Sequence, residues 1–160
     1  MGDNEGRLPA LVEASLAAGA EARFEADGRS MLPFVRPGDV LRVRRLADEE
    51  PATGDVVAVR GMPGGGLLVH RVVRCRDGRA LIRGDNTTLA NGEWAREDIL
   101  GIVTGVERNG RAAWFGAGRW GWLVAWAVRT GLLNKANRAC LKFRSAVTRL
   151  REHKGDDGNE

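Results

Sequence analysis

Residues 28–44 read Gly-Arg-Ser-Met-Leu-Pro-Phe-Val-Arg-Pro-Gly-Asp-Val-Leu-Arg-Val-Arg, a turn-rich stretch that leads into alternating apolar and basic residues. Pro37-Gly38-Asp39 is typical of a turn. The alternation from Val40 onward has the period of two of a half-buried strand. Turns followed by short strands recur through the middle of the chain, and this pattern determines the predicted fold.

Short runs rich in Val, Ile and Leu, separated by clusters of Gly, Pro, Asn and Asp, predict strands. They cover residues 23–26, 39–44, 55–60, 67–74, 80–83 and 99–107. Their spacing favours a mainly β fold, a small coiled β-barrel or sandwich. The Gly-rich residues 61–66 lie between two runs. A phosphate-binding loop needs Lys-Ser or Lys-Thr and a following helix, so we predict a hairpin loop instead.

The two ends of the chain differ from this middle part. Leu8, Leu11, Val12 and Leu16 have helical spacing, which predicts a short amphipathic helix within an N-terminal segment, residues 1–22. The core of the protein is expected in residues 23–110. No signal peptide or clear transmembrane span is visible, so we expect a cytoplasmic protein that is either free or peripheral at a membrane.

Residues 111–160 form a basic, Trp-rich segment that we expect to be helical. Four of the five Trp residues and a string of Lys and Arg fall here. One interpretation is a helical hairpin that packs its Trp residues onto the barrel. The other is a surface, within residues 112–154, that binds a membrane interface or an acidic partner. Nucleic acid is the less favoured partner.

The chain is mildly basic and has few cysteines and histidines, which limits the kinds of site that it can form. The 25 Lys and Arg against 21 Asp and Glu give a mildly basic chain with a pI near 9.8. Cys75 and Cys140 lie far apart without CxxC spacing, and His153 is the only histidine besides His70. A disulfide framework or a His and Cys metal site therefore has little support, and we expect no cofactor and no metal.

Three residues of the middle part supply the groups of a serine hydrolase. Ser30 is a hydroxyl nucleophile in a turn, His70 is a base, and Asp85 is a carboxylate that can orient the base. Each also has an ordinary structural explanation: a turn serine, a core histidine beside Leu68 and Val72, and an Asx turn.

The order of these motifs resembles a known family. Ser-Met-x-Pro is followed by Pro-Gly-Asp, by Gly54-Asp55-Val-Val, by His70-Arg71-Val-Val, by Gly84-Asp85-Asn86 and by Ile-Leu-Gly at residues 99–101. This series, from about residue 28 to 106, is similar to the clan of signal peptidase I and the LexA-type self-cleaving repressors. Most bacterial members have Lys at the position of His70. In having His there, the chain is similar to the Ser-His-Asp signal peptidases of the endoplasmic reticulum, archaea and sporulating bacteria.

The resemblance implies a serine endopeptidase that cleaves a leader or precursor peptide after small residues. It places Ser30, His70 and Asp85 in catalysis, with Asp98 as the reserve for the third residue. The substrate cleft would include Gly28, Met31 and Pro33, and the Ser30 N–H would hold the oxyanion. Asp39 and Asp55, in Gly-Asp pairs that open strands, are expected to cap turns.

Two other functions fit the same residues. A self-cleaving regulator would need a scissile pair such as Ala18-Gly19, which lies close upstream of Ser30. A noncatalytic peptide-binding or membrane-adaptor protein could keep the fold and use its basic tail as the working surface.

Overall fold

The computed structural model describes residues 7–47, 49–61, 66–88, 92–133 and 135–136. Its elements are α1 (Arg7–Ala17), β1 (Ala22–Glu25), β2 (Val40–Arg45), β3 (Val56–Arg60), β4 (Leu67–Arg76), β5 (Arg79–Arg83), β6 (Glu93–Ala95), β7 (Ile99–Arg108), β8 (Arg111–Ala113) and α2 (Gly121–Arg129). Short 3-10 helices, Arg96–Asp98 and Gly118–Trp120, precede β7 and α2. The predicted mainly β class is confirmed, and β6 and β8 are additional to the predicted strands.

The strands form one antiparallel sheet that curls into a half-barrel. Its order is β1-β2-β7-β3-β4-β5-β6, and β8 pairs with β7 beside this path. The central strand β3 is buried on both faces, with Val56 and Ala58 in one apolar cluster and Val57 and Val59 in another. A strand covered on both faces is a continuous apolar run rather than an alternating one.

The helix α1 closes one side of the half-barrel. Val12 and Leu16 are buried in the cluster that also contains Leu41 and Val103. Leu11, which the helical spacing grouped with them, is instead 62% exposed. A residue one position before Val12 is rotated about 100° around the helix, and the buried side of α1 is narrower than the apolar spacing predicted.

The prediction that Asp39 and Asp55 cap turns is confirmed. Asp39 Oδ2 accepts a 2.8 Å hydrogen bond from the Arg36 N–H, and Asp55 Oδ2 accepts one of the same length from the Ala52 N–H. In the first turn Pro37 precedes Gly38, whose φ of +85° is the left-handed conformation that a type II turn requires. These turns set where β2 and β3 begin.

The helix α2 docks through small residues. A Cβ on Gly54, whose φ is +106°, would lie 2.4 Å from the carbonyl carbon of Gly121. Only glycine permits this approach of the two backbones. Val124 and Val128 of α2 then pack against Val73 of β4.

Two predicted features lie outside the described residues. The hairpin loop is one, although the Gly61 N–H donates to the Gly66 carbonyl across its base, at 2.9 Å. Residues 137–160, with Cys140, His153 and most of the C-terminal basic string, are the other. None of the helices that the structure describes is long and apolar enough to cross a membrane.

We expect Asp39 to contribute stability that acid removes. Burial works to raise its pKa, but hydrogen bonds from Arg108 and the Arg36 N–H outweigh burial and hold the pKa below the usual 3.8. The ionised form therefore stabilises the fold above about pH 4, and this contribution is lost as the pH falls through the lowered pKa. Asp39→Asn should cost about 1–3 kcal/mol of unfolding free energy at pH 7.

Urea unfolding at a series of pH values measures this contribution. The gap between wild type and Asp39→Asn should narrow below about pH 4, whereas the exposed Glu97→Gln control should follow the wild type throughout. A gap that stays constant down to acid pH would mean that the Asp39 charge is not responsible.

Candidate active site

Ser30 lies in a turn between β1 and β2, which we call the Ser30 turn (residues 28–35). Met31 and Val35 anchor this turn because both are buried in the core. The N–H groups of Phe34 and Val35 donate to the Met31 carbonyl, at 3.1 and 3.0 Å. Ser30 itself is half-buried. The turn is therefore held by its apolar side chains and presents its serine at the rim of the core.

His70 lies in β4, where it pairs with Val57 of β3. Its side chain is only 2% exposed. It is followed by Arg71, which pairs with Arg83 at the end of β5. The antiparallel register therefore brings Gly84, the residue after Arg83, level with His70.

The Ser30 turn and His70 meet at Gly84. A Cβ on Gly84 would lie 2.7 Å from the Ser30 carbonyl oxygen and 2.9 Å from His70 Nε2. The Asn86 N–H donates to the Ser30 carbonyl at 2.7 Å, and its side-chain amide donates to the Arg29 carbonyl at 3.2 Å. Three motifs that are distant in sequence thus converge, with glycine at the point of contact because any larger residue would separate them.

The Ser30 carbonyl joins this group by accepting the hydrogen bond from the Asn86 N–H. The predicted hydrogen bond between the Ser30 hydroxyl and the His70 imidazole stays a prediction.

Asp85 directs its carboxylate to Arg71. Oδ1 accepts from Nε at 2.8 Å and Oδ2 accepts from Nη2 at 2.7 Å, and both side chains are completely buried. Complete burial raises the pKa of Asp85, while the two hydrogen bonds from Arg71 act in the opposite direction. Asp85 is adjacent to the contact between Gly84 and His70, and its bidentate partner is the arginine next to that histidine.

Arg71 belongs to the candidate site, although no pattern in the sequence assigned it a role. Besides Asp85, its guanidinium donates to the carbonyls of Gly54, Phe115 and Gly116, each at 2.9 Å. These contacts use all five of its N–H donors. A charged residue inside the apolar run of residues 67–73 was the available signal, because a buried charge requires a partner.

The other predicted residues fall into two groups. Gly28, Ser30 and Met31 line one cleft, while Pro33 is exposed after a cis peptide bond. Asp98, the reserve acid, is exposed at the end of the 3-10 helix before β7, and it borders a different cavity with Arg60, Trp94, Glu97 and Leu100.

The cleft beside Ser30 has a volume of about 190 Å³. Its walls come from the end of β1 with the following residues and from the start of β4, at Leu67, Leu68 and Val69. Among the described strands, β1 pairs only with β2, and this part of β4 pairs only with β3. The cleft therefore lies between two strand edges that have no further partner among the described residues.

A cysteine-based or metal-based site has no counterpart in the described part of the chain. The Cys75 thiol donates to the Pro51 carbonyl at 2.8 Å, and burial together with nearby Asp55 and Glu50 raises its pKa. A raised pKa keeps the thiol protonated and weakly nucleophilic. No three His, Cys, Asp or Glu side chains of the described residues come together as metal ligands.

A scan against models of known protein families finds no match for this chain, and a search of curated proteins finds none either.

Asp85→Asn should destabilise the protein, and Asp98→Asn should not. The first change leaves a fully buried Arg71 charge without its counter-charge, which costs about 3–5 kcal/mol. The second alters an exposed carboxylate and should stay within about 0.5 kcal/mol. Chemical unfolding of both variants measures the difference.

Equal stabilities would contradict the structural role of the Arg71–Asp85 pair. A folded Asp98→Asn that has lost turnover would transfer the third catalytic role to Asp98.

Proposed function

We propose that this protein is a serine endopeptidase in which Ser30 is the nucleophile and His70 the general base. The observation that supports this most directly is the convergence of the Ser30 turn and His70 Nε2 on Gly84, beside an apolar cleft. The order of motifs along the chain, similar to the signal peptidase and LexA-type clan, supports the same reaction.

The proposed reaction needs only groups of this chain and water. Ser30 Oγ attacks the peptide carbonyl while His70 accepts the hydroxyl proton, and the Ser30 N–H stabilises the oxyanion that forms. Collapse breaks the C–N bond, and His70 returns its proton to the leaving amine. Water, deprotonated by His70, then hydrolyses the acyl-enzyme. Among described residues, the Ser30 N–H has no backbone acceptor, which leaves it available for this role.

Asp85 supports the proposed site through its contact with Arg71. Its carboxylate accepts hydrogen bonds from Arg71 and so holds residues 84–87 against β4, the strand that carries both Arg71 and His70. A carboxylate oxygen accepts more than one hydrogen bond, so Asp85 can also stabilise the imidazolium as it forms.

The substrate is proposed to be an extended peptide. Its backbone would add a strand within the cleft, beside β1 or the start of β4. Phe24, Met31 and Val69 line the cleft and give it apolar walls. These walls favour a small apolar side chain immediately before the scissile bond, as the resemblance to signal peptidases also implies.

Reaction with an alkyl fluorophosphonate probe tests the proposal. An activated serine displaces fluoride and becomes covalently labelled, so the intact chain should be labelled at Ser30. Ser30→Ala should abolish labelling and peptide turnover. His70→Ala should lower both by about three orders of magnitude or more, because a nucleophile and its base act as a unit.

Ser15→Ala, a half-buried serine of α1, is the matched control and should be labelled as the wild type is. A folded intact chain that shows neither labelling nor turnover would favour the noncatalytic peptide-binding alternative. Spontaneous cleavage at Ala18-Gly19, detected by intact mass, would favour the self-cleaving regulator.

The rate of labelling should fall in acid. A base must be neutral to accept a proton, so the rate should fall as acid protonates it. We expect labelling to increase from acid pH and then to level off, with a single acidic limb that is absent in His70→Ala. A rate that rises only in the range of lysine, near pH 10, would contradict the role of His70.

A further inference from the structure

The helix α2 presents its large residues to solvent and its small residues to the protein. Gly121, Val124, Ala125 and Val128 are buried. Trp122 and Trp126, on the other side, are 58% and 50% exposed. Aromatic residues bury 150–250 Å² each when they support a core. The interpretation that these Trp residues pack onto the barrel does not fit this orientation.

The exposed apolar side chains of the described residues are concentrated in one segment. We call this set the Trp face: Trp114, Trp120, Trp122, Leu123, Trp126 and Leu132, between 37% and 61% exposed. Outside it, the other large apolar side chain that is exposed in the described chain is Leu11, alone on α1. Concentrated exposed apolar groups mark an interaction surface rather than ordinary scatter.

The segment that carries the Trp face is strongly basic. Residues 111–151 contain nine Lys and Arg and no Asp or Glu, whereas residues 1–110 contain 15 and 17. On α2, Arg129 is exposed, and it follows Trp126 by three residues and Trp122 by seven, so all three share one side of the helix. The partner should therefore combine negative charge with an apolar layer.

We propose that the Trp face binds the surface of an anionic lipid membrane. Trp rings favour the headgroup level, where one edge is apolar and the other wet. Lys and Arg near the surface gain about 1 kcal/mol each from anionic lipid. The opposite side of α2 is packed on β4, so the helix meets the membrane along one side and lies parallel to its plane.

A nucleic acid or an acidic protein fits the Trp face less well. Single-stranded nucleic acid is bound in a basic groove with aromatic platforms, whereas these Trp residues project from the outer side of a helix. A protein partner would require a complementary apolar cavity, while a bilayer interface accepts protruding aromatic rings without one.

The Trp face adjoins the Ser30 turn. The ring of Trp114 meets that of Phe34 edge-on, with centroids 5.3 Å apart and an interplanar angle of 86°. Phe34 is four residues after Ser30. Contact of Trp114 with the membrane would therefore bring the Ser30 turn close to the lipid surface, whether or not that turn is catalytic.

Co-sedimentation of the full chain with vesicles tests the proposal. It should bind vesicles of phosphatidylcholine and phosphatidylglycerol, bind phosphatidylcholine alone weakly, and detach as salt rises. The double change Trp122→Ser and Trp126→Ser should weaken binding by at least about tenfold, because each ring transfers about half of its area into the interface. Arg129→Gln should weaken it by about fivefold.

Leu11→Ser removes an exposed apolar residue of similar exposure elsewhere, and it should bind as the wild type does. Thermal unfolding of each variant checks that the fold is retained. Failure of the intact chain to bind anionic vesicles, or undiminished binding by the double Trp variant, would overturn the proposal.

Self-association that the Trp changes abolish, without vesicle binding, would assign the face to a second copy of the chain. Fluorophosphonate labelling in the absence of vesicles tests Ser30 separately.

Discussion

The buried pair of Arg71 and Asp85 is the interaction on which the site depends. Two opposite charges with no solvent exposure are tolerated only when their hydrogen bonds are satisfied, and here the guanidinium has an acceptor for each donor. Those acceptors are Gly54, before β3, Asp85, after β5, and Phe115 and Gly116, in the segment between β8 and α2. One side chain thus determines how three distant segments sit around β4.

The position of His70 follows from this arrangement. Because Arg71 is its neighbour in β4, whatever locates the guanidinium also locates the imidazole. Gly84 then limits how closely the Ser30 turn approaches, since the Ser30 carbonyl and His70 Nε2 both border the space that a Cβ would occupy. Asp39 holds the other end of the Ser30 turn through Arg108, which also donates to the Phe34 carbonyl. The candidate nucleophile and base are placed by ionic contacts that neither residue makes itself.

The C-terminal part of the described chain also contacts Arg71. Phe115 and Gly116 supply carbonyls to Arg71, and Gly54 supplies both another carbonyl and the space for the start of α2. This close backbone approach requires glycine at the start of α2, and Val124, Ala125 and Val128 continue the buried side of the helix. Trp122 and Trp126 are on the other side, where they are exposed.

Local patterns in the sequence determined the mainly β class, the approximate strand positions, the turns at Asp39 and Asp55, and the short N-terminal helix. Alternation, turn residues and capping act over a few positions, and a sequence displays them directly. The motif order predicts that Ser30 and His70 act together, and this stays a prediction. The tertiary structure decided the rest: that Leu11 faces solvent, that Asp85 pairs with Arg71, that Asp98 borders another cavity, and that α2 turns its Trp residues outward. These outcomes depend on contacts between residues far apart in sequence, such as those of Arg71 with partners 14 to 45 positions away, and on backbone approaches such as that of Gly54 to Gly121. No pattern of neighbouring residues specifies such contacts, because they exist only after the sheet has curled and brought the segments together.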